Sequence, residues 1–223
     1  ALFHAAARLC RVGIASTKPL QKWLAGLVAE KRCLLHRNGL DSQFGTPTQA
    51  EPPGGNDKIN LFYGSGTLAH NNDFCDLALP AIYDIMDRDM RVQLVIAGYL
   101  ELPCSFLDRF KDRILRLPPT KNIATYYGYL SLADINLATL VPDTITDCKS
   151  ELKWFEAAFF NKPSIVSGTQ NYVDVVRDGV DGLIAHTSND WKRFLTALIN
   201  ECTTEMLIRD IAYGFEPDSQ REL

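Results

Sequence analysis

The stretches Ile59-Asn-Leu-Phe-Tyr63, Gly64-Ser-Gly-Thr-Leu-Ala-His70 and Arg91-Val-Gln-Leu-Val-Ile-Ala97 decide the fold. The first and third are short and apolar, the second is a glycine-rich turn, and residues 73–88 between them carry helical periodicity. Two apolar strands joined by an amphipathic helix make a parallel pair with a crossover. The same alternation continues along the chain. Strands are expected at 59–63, 91–97, 113–117, 135–140, 163–167 and 182–186. Helices are expected at 73–88, 104–111, 121–132, 149–160, 170–177 and 189–202. This pattern predicts an α/β fold with a parallel sheet and helices on both faces.

Upstream, residues 1–44 read as helix, strand (Val12 to Ala15), helix (Pro19 to Glu30) and strand (Cys33 to His36). Ser16-Thr17-Lys18-Pro19 supplies capping residues and an early helical proline. From Thr46 to Asn56, three prolines and two glycines in eleven residues break all periodicity, which marks a linker. The expected organisation is a tail of a preceding domain at 1–44, a linker at 45–57 and a second domain at 58–223. The chain opens Ala-Leu-Phe-His already in helical register, as a piece of something longer would.

The 223 residues are 46% hydrophobic and 22% charged, an ordinary globular composition. A net charge of −4 argues against a broad nucleic-acid-binding face. Cys10, Cys33, Cys75, Cys104, Cys148 and Cys202 are scattered, with no CxxC pair and no clustering with histidine. That spacing suits reduced thiols in a cytoplasmic protein better than a disulfide frame or a zinc site. No apolar run approaches the roughly 20 residues that span a bilayer.

In an open parallel sheet, ligands bind outside the carboxyl ends of the strands, so the loops there matter most. Gly64-Ser65-Gly66-Thr67 allows close backbone approach and offers amides and hydroxyls suited to phosphate oxygens. Gly64-x-Gly66-x-x-Ala69 also fits the loose dinucleotide fingerprint. The strand that should end in a ribose-binding carboxylate ends Val-Ile-Ala-Gly98 instead. The alternative is a glycine-rich turn with no ligand. His70 closes this loop and could donate to a phosphate, or be simply structural.

The second loop, Asp143-Thr-Ile-Thr-Asp-Cys-Lys-Ser150, leads into Glu-Leu-Lys-Trp-Phe-Glu-Ala-Ala-Phe-Phe160. With Thr146 or Asp147 as cap, Lys149 falls in the helix's first turn, where a cation opposes the helix dipole unless an anion binds beside it. Leu152, Phe155 and Phe159 form the expected core stripe, and Glu156 sits on its shoulder. A carboxylate there must reach water or a polar ligand. It could accept both hydroxyls of a ribose, or it could be an exposed helix carboxylate paired with Lys149 or Lys153.

Three stretches carry a family likeness: Lys149 to Ala158, Lys162 to Ser167, and Val175-Val-Arg-Asp-Gly-Val-Asp-Gly-Leu-Ile184. With Ser65 to Phe74, Ser131 to Ala138 and Arg37-Asn-Gly-Leu-Asp41, they resemble the donor-binding half of a group 1 (family 4) glycosyltransferase. The likeness extends to bacterial surface-polysaccharide, rhamnosyltransferase-like members. It implies the GT-B fold, two Rossmann-like domains with the active site between them. It also implies transfer of a sugar from a nucleotide diphosphate donor to a glycan or lipid-linked acceptor, with retention at the anomeric carbon. The donor is a substrate, and no cofactor or metal is required where amides and cations hold the diphosphate. Membrane association, where present, would run peripherally through the other domain.

On that resemblance, Gly64, Ser65, Gly66 and Thr67 match the diphosphate turn. Glu156 matches the second glutamate of the family's paired motif and holds the ribose, with Ser150 also at the donor. Cys148 stands where the first glutamate belongs, and Ser65 and His70 stand where the family has arginine and lysine. Lys149 and His70 are therefore the expected catalytic cations. Leu117-Pro-Pro-Thr-Lys-Asn122 is the expected base-binding loop. The chain would bind donor and need its other half for transfer. The competing readings are a non-catalytic nucleotide- or sugar-binding module, motivated by Cys148, and a nicotinamide oxidoreductase, disfavoured by the missing ribose carboxylate.

Overall fold

The computed structural model describes residues 2–39 and 58–201. The expected linker at 45–57 lies outside the described residues. Helix α1 (Leu2–Leu9), strand β1 (Val12–Ala15), helix α2 (Lys18–Ala25) and strand β2 (Arg32–Leu35) form an N-terminal unit in which β1 and β2 pair in parallel. Thr17 caps α2 by accepting from the Leu20 amide, with Pro19 in the first turn.

The main sheet comprises β3 (Ile59–Ser65), β4 (Val92–Gly98), β5 (Ile114–Leu117), β6 (Ile135–Ala138), β7 (Ser164–Ser167) and β8 (Leu183–Ala185). All its pairings are parallel, in the order β5-β4-β3-β6-β7-β8. Around it lie α3 (Asn71–Leu77), α4 (Leu79–Arg88), α5 (Cys104–Phe110), α6 (Ile123–Leu130), α7 (Leu152–Phe159), α8 (Gln170–Val175) and α9 (Ser188–Glu201). The alternation of side chains along each strand explains why helices cover both faces. Leu61, Tyr63, Leu94 and Ile96 join a core with residues of α3, α4, α5 and α9. Their neighbours Phe62, Val95 and Ala97 pack with residues of α6 and α7 on the opposite face, and Ala138 and Val166 pack with α7 and α8.

The expected strands form with ends moved by one or two residues, the helix expected over Pro19 to Glu30 spans only Lys18–Ala25, and two further helices differ in ways that have causes. The helix expected over 73–88 divides at Ala78, because Pro80 lacks an amide proton and occupies the first turn of a new helix. The helix expected from residue 149 begins at Leu152, since Thr146–Cys148 forms a separate 3-10 turn and Lys149 leaves it extended. Trp154 and Ala157 point into the core, and Leu152 is exposed, so the buried stripe differs from the expected Leu152–Phe155–Phe159. The large indole can be buried because its Nε1–H donates to the Asp181 carbonyl at 2.8 Å.

The N-terminal unit rests against the carboxyl end of the sheet. Thr17 Oγ1 donates to the Cys148 carbonyl at 3.1 Å, and Arg37 reaches Glu151 and Asn171. No helix among the described residues is long and apolar enough to cross a membrane.

Candidate functional site

Between β3 and β6 the strand order reverses direction, and crossover connections leave on opposite sides of the sheet. This leaves a crevice above the carboxyl end of β3, the general ligand position of doubly wound sheets. The first wall is the Gly64–Thr67 turn. Ser65 pairs with Gly98, whose φ is +98°, and a Cβ at Gly98 would stand 2.1 Å from the Ser65 carbonyl oxygen. Only glycine permits that approach, which lets the Tyr99 amide donate to the same oxygen at 2.9 Å. Thus the Val-Ile-Ala-Gly98 ending, which lacks a ribose carboxylate, has a backbone role.

The hydroxyls of the turn are engaged within it. Ser65 Oγ donates to the Thr67 carbonyl at 2.7 Å, and Thr67 Oγ1 accepts from the Ala69 amide at 3.3 Å. The loop is ordered by its own bonds, and a Cβ at Gly66 would meet open space. At Gly64 a Cβ would instead press on the Tyr126 ring at 3.0–3.1 Å.

A cleft of about 420 Å³ opens beside this turn. Gly64, Ser65 and Gly66 line one side, and Pro118, Pro119, Thr120 and Lys121 line another, with Tyr99, Tyr126 and Tyr129 also facing it. The expected base-binding loop thus shares a cavity with the expected diphosphate turn. Asn122 shapes that loop by capping α6, its Oδ1 accepting from the amides of Ala124 and Thr125.

Lys153 lines the cleft from α7, and Lys121 lines it from the loop after β5. Because α7 starts at Leu152, Lys153 falls in its first turn, where the helix dipole disfavours a positive charge. Its Nζ lies 4.7 Å above the Tyr63 ring. Burial, and then repulsion from Lys149, lower its pKa to about 8. Asn136, buried in β6, donates from Nδ2 to the Lys153 carbonyl at 3.1 Å and to Ser164 Oγ at 2.9 Å. Lys149 works against the charge of the Lys153 ammonium, while Asp73 and Glu156 support it.

Glu156 lies one turn further along α7, half-buried and outside the cleft lining. Burial pushes its carboxyl up to about 7 against the pull of Lys153. Tyr126, Tyr127 and Tyr172 surround it electrostatically: burial raises each phenol, and Glu156 raises it further. Tyr126 therefore borders both the cleft and the carboxylate.

The other expected residues sit nearby but apart. Lys149 follows the 3-10 turn, and its carbonyl accepts from Asn171 Nδ2 at 3.0 Å. Ser150 is half-buried beside it, and neither lines the cleft. His70 Nδ1 bonds to Asp73 Oδ2 at 2.8 Å. Cys148 lines a different hollow of about 660 Å³, between α2 and α8, with Lys18, Lys22, Trp23, Asp147 and Asp174. Burial, and then Asp147, raise its thiol pKa. No group of three or more metal-ligating side chains forms among the described residues.

Sequence reasoning weighed Lys153 only as an ion-pair partner of Glu156 and not as a cation facing the cleft, and it passed over the polar cluster of Arg37, Glu151 and Asn171. Lys153 lies three residues before Glu156, so one helical face carries both charges. That spacing was the available signal, and placing the helix start at residue 149 obscured it.

No protein-family model and no curated protein matches the sequence. Solved structures do match its fold. Anabaena HepE in complex with UDP and glucose aligns over 95% of this chain and 61% of its own, at 13% identity and a TM-score of 0.60. A point mutant of S. aureus TarM, in complex with UDP among other ligands, aligns over 95% and 41%, at 12% identity and 0.66. The pneumococcal O-GlcNAc transferase GtfA, in complex with UDP and GlcNAc, aligns over 96% and 42%, at 15% identity and 0.61. The chain thus spans between 41% and 61% of these three proteins. Its fold is α/β and Rossmann-like, a six-stranded parallel sheet between helices that matches about half of a GT-B glycosyltransferase.

Proposed function

We propose that residues 58–201 form the donor-binding domain of a family 4 glycosyltransferase, taking a sugar linked to a nucleoside diphosphate. The observation that carries this reading is the cleft at the strand-order reversal, where Lys153 faces the Gly64–Gly66 turn. The base would lie toward Pro118–Lys121 and Tyr99, and the diphosphate between the Ser65–Gly66 backbone and Lys153. The ribose would lie toward Glu156, reached past Tyr126. Lys153 thus takes the diphosphate role that Lys149 was expected to hold, and Lys149 adds positive field at longer range.

Transfer from such a donor leaves charge on the departing diphosphate. A preorganised ammonium in a poorly hydrated site stabilises that charge more than water does. The hollow between α2 and α8, which Cys148 lines, would admit the acceptor. Residues 2–39 would then belong to the acceptor-side domain, whose remainder would cover the exposed Ile14, Leu34 and Leu35. Surface-polysaccharide synthesis, retention of anomeric configuration and a cytoplasmic setting belong to the same proposal.

Calorimetric titration with UDP, GDP and dTDP tests it. Binding of at least one, weakened by Lys153→Met, is the expected result. A correctly folded chain that binds none of them would remove the donor-site reading. A second reading, a binding module without turnover, is favoured by Cys148 occupying the position of a carboxylate. Sugar transfer by the chain combined with its acceptor half would exclude that reading.

A further inference from the structure

Glu151 precedes α7 and is only 5% exposed, yet it makes no capping bond to its own helix. Its carboxylate turns the other way. Oε1 accepts from Arg37 Nη1 at 3.2 Å, and Oε2 accepts from Asn171 Nδ2 at 2.9 Å. Arg37 Nη1 also donates to Asn171 Oδ1 at 3.2 Å, and Asn171 Nδ2 reaches the Lys149 carbonyl at 3.0 Å. Three parts of the chain meet here: the residue two beyond β2, the start of α7 and the start of α8.

The segment leading into α7 is held on the same two sides at other points. The N-terminal unit grips it through Thr17 Oγ1 and the Cys148 carbonyl, and Asp147 Oδ1 accepts from the Gln170 amide at 2.8 Å. Two residues beyond Glu151 stands Lys153, a cation of the nucleotide cleft. A buried carboxylate that loses its cation is costly, and that cost falls on the segment that carries it.

We infer that Arg37 is a positioning residue, whose bond to Glu151 makes the placement of Lys153 depend on the seating of the N-terminal unit. Donor affinity is thereby coupled to the state of the acceptor-side domain, in whichever state Arg37 reaches Glu151. The coupling to the nucleotide rests on the donor-site reading above. The clamp itself does not. Neither charge touches the nucleotide cleft, so the effect passes through the start of α7.

The test uses the whole chain, Arg37→Met, and the double variant Arg37→Met/Glu151→Met. Glu151 is buried and Arg37 half-buried, and removing both charges of such a pair leaves no carboxylate without its cation, so the double variant separates stability from positioning. Arg37→Met should lower the affinity of the best-binding nucleoside diphosphate about tenfold, the scale on which remote contacts tune a site. The double variant should recover melting temperature while affinity stays low. Hydrogen exchange at residues 152–155 should accelerate in Arg37→Met while β3 and β4 stay protected.

Affinity that recovers together with stability in the double variant would mean a purely structural pair and overturn the inference. So would unchanged affinity and unchanged exchange in Arg37→Met. If the wild-type chain binds none of the three nucleotides, the donor-site reading fails and exchange alone decides the clamp. Faster exchange confined to α7 then upholds it, and unchanged exchange refutes it.

Discussion

Lys153 and Glu156 occupy one face of one helix, and burial disfavours the charge on both, moving their pKa values in opposite directions. Glu156 has a folded pKa of about 7 against an ordinary 4.5, so the native state binds its proton longer than the unfolded chain does. Stability contributed by this group is present at low pH and falls as pH rises from about 4.5 to about 7. Lys153, lowered to about 8 from 10.5, acts conversely: stability rises again between about 8 and 10.5. Glu156→Gln should therefore stabilise the chain at pH 8 by about 1–2 kcal/mol, after allowing for partial exposure. Its urea denaturation should lose the decline between pH 5 and 7. A Gln variant less stable at pH 8 would show the carboxylate to be structurally paired.

The cleft's cation answers a separate test. Lys153→Met should weaken nucleoside diphosphate binding by about 10–100-fold, the worth of one charge-assisted bond of about 1.5–3 kcal/mol. Its melting temperature should not fall. Lys149→Met, further from the cleft, should cost several-fold less, and equal losses would return the diphosphate role to Lys149. Affinity for the wild-type chain should rise as Glu156 ionises near pH 7 and fall as Lys153 deprotonates near pH 8.

At the scale of elements, the glycine turn and the strand ends were legible, because glycine and apolar runs report local backbone needs directly. Gly98 was visible only as a missing carboxylate, since its meeting with the Ser65 carbonyl depends on the register of β3 against β4. Gly98→Ala should destabilise the chain by more than about 2 kcal/mol in urea denaturation, combining positive-φ strain with a backbone collision. An alanine variant of native stability would contradict that register. The start of α7 was misread for a related reason. Thr146 and Asp147 look like helix caps, but Asp143 captures Thr146 by accepting from its amide at 2.6 Å, closing a separate turn. Glu151 then has a partner distant in sequence, Arg37, which no local pattern announces.

At the scale of the molecule, short, continuously apolar strands alternating with amphipathic helices specified a parallel sheet covered on both faces, and that part of the fold was readable outright. The location of the candidate cleft followed from topology more than from any motif. The three-way junction at Glu151 joins residues separated by 114 and 20 positions, beyond what spacing can show. The N-terminal unit carries exposed apolar side chains at Ile14 and Leu34. If the rest of an acceptor-side domain covers them, the isolated chain should self-associate in sedimentation. Ile14→Lys/Leu34→Lys should then make it monomeric with an unchanged melting temperature. Persistent association of that variant would place the contact elsewhere.

The most direct measurement is a structure of the chain with the nucleoside diphosphate that binds best. The account predicts diphosphate oxygens within hydrogen-bond distance of Lys153 Nζ and the Ser65–Gly66 backbone, with the base against Pro118–Lys121. A nucleotide seated instead in the hollow between α2 and α8, or bound without contact to Lys153, would contradict it.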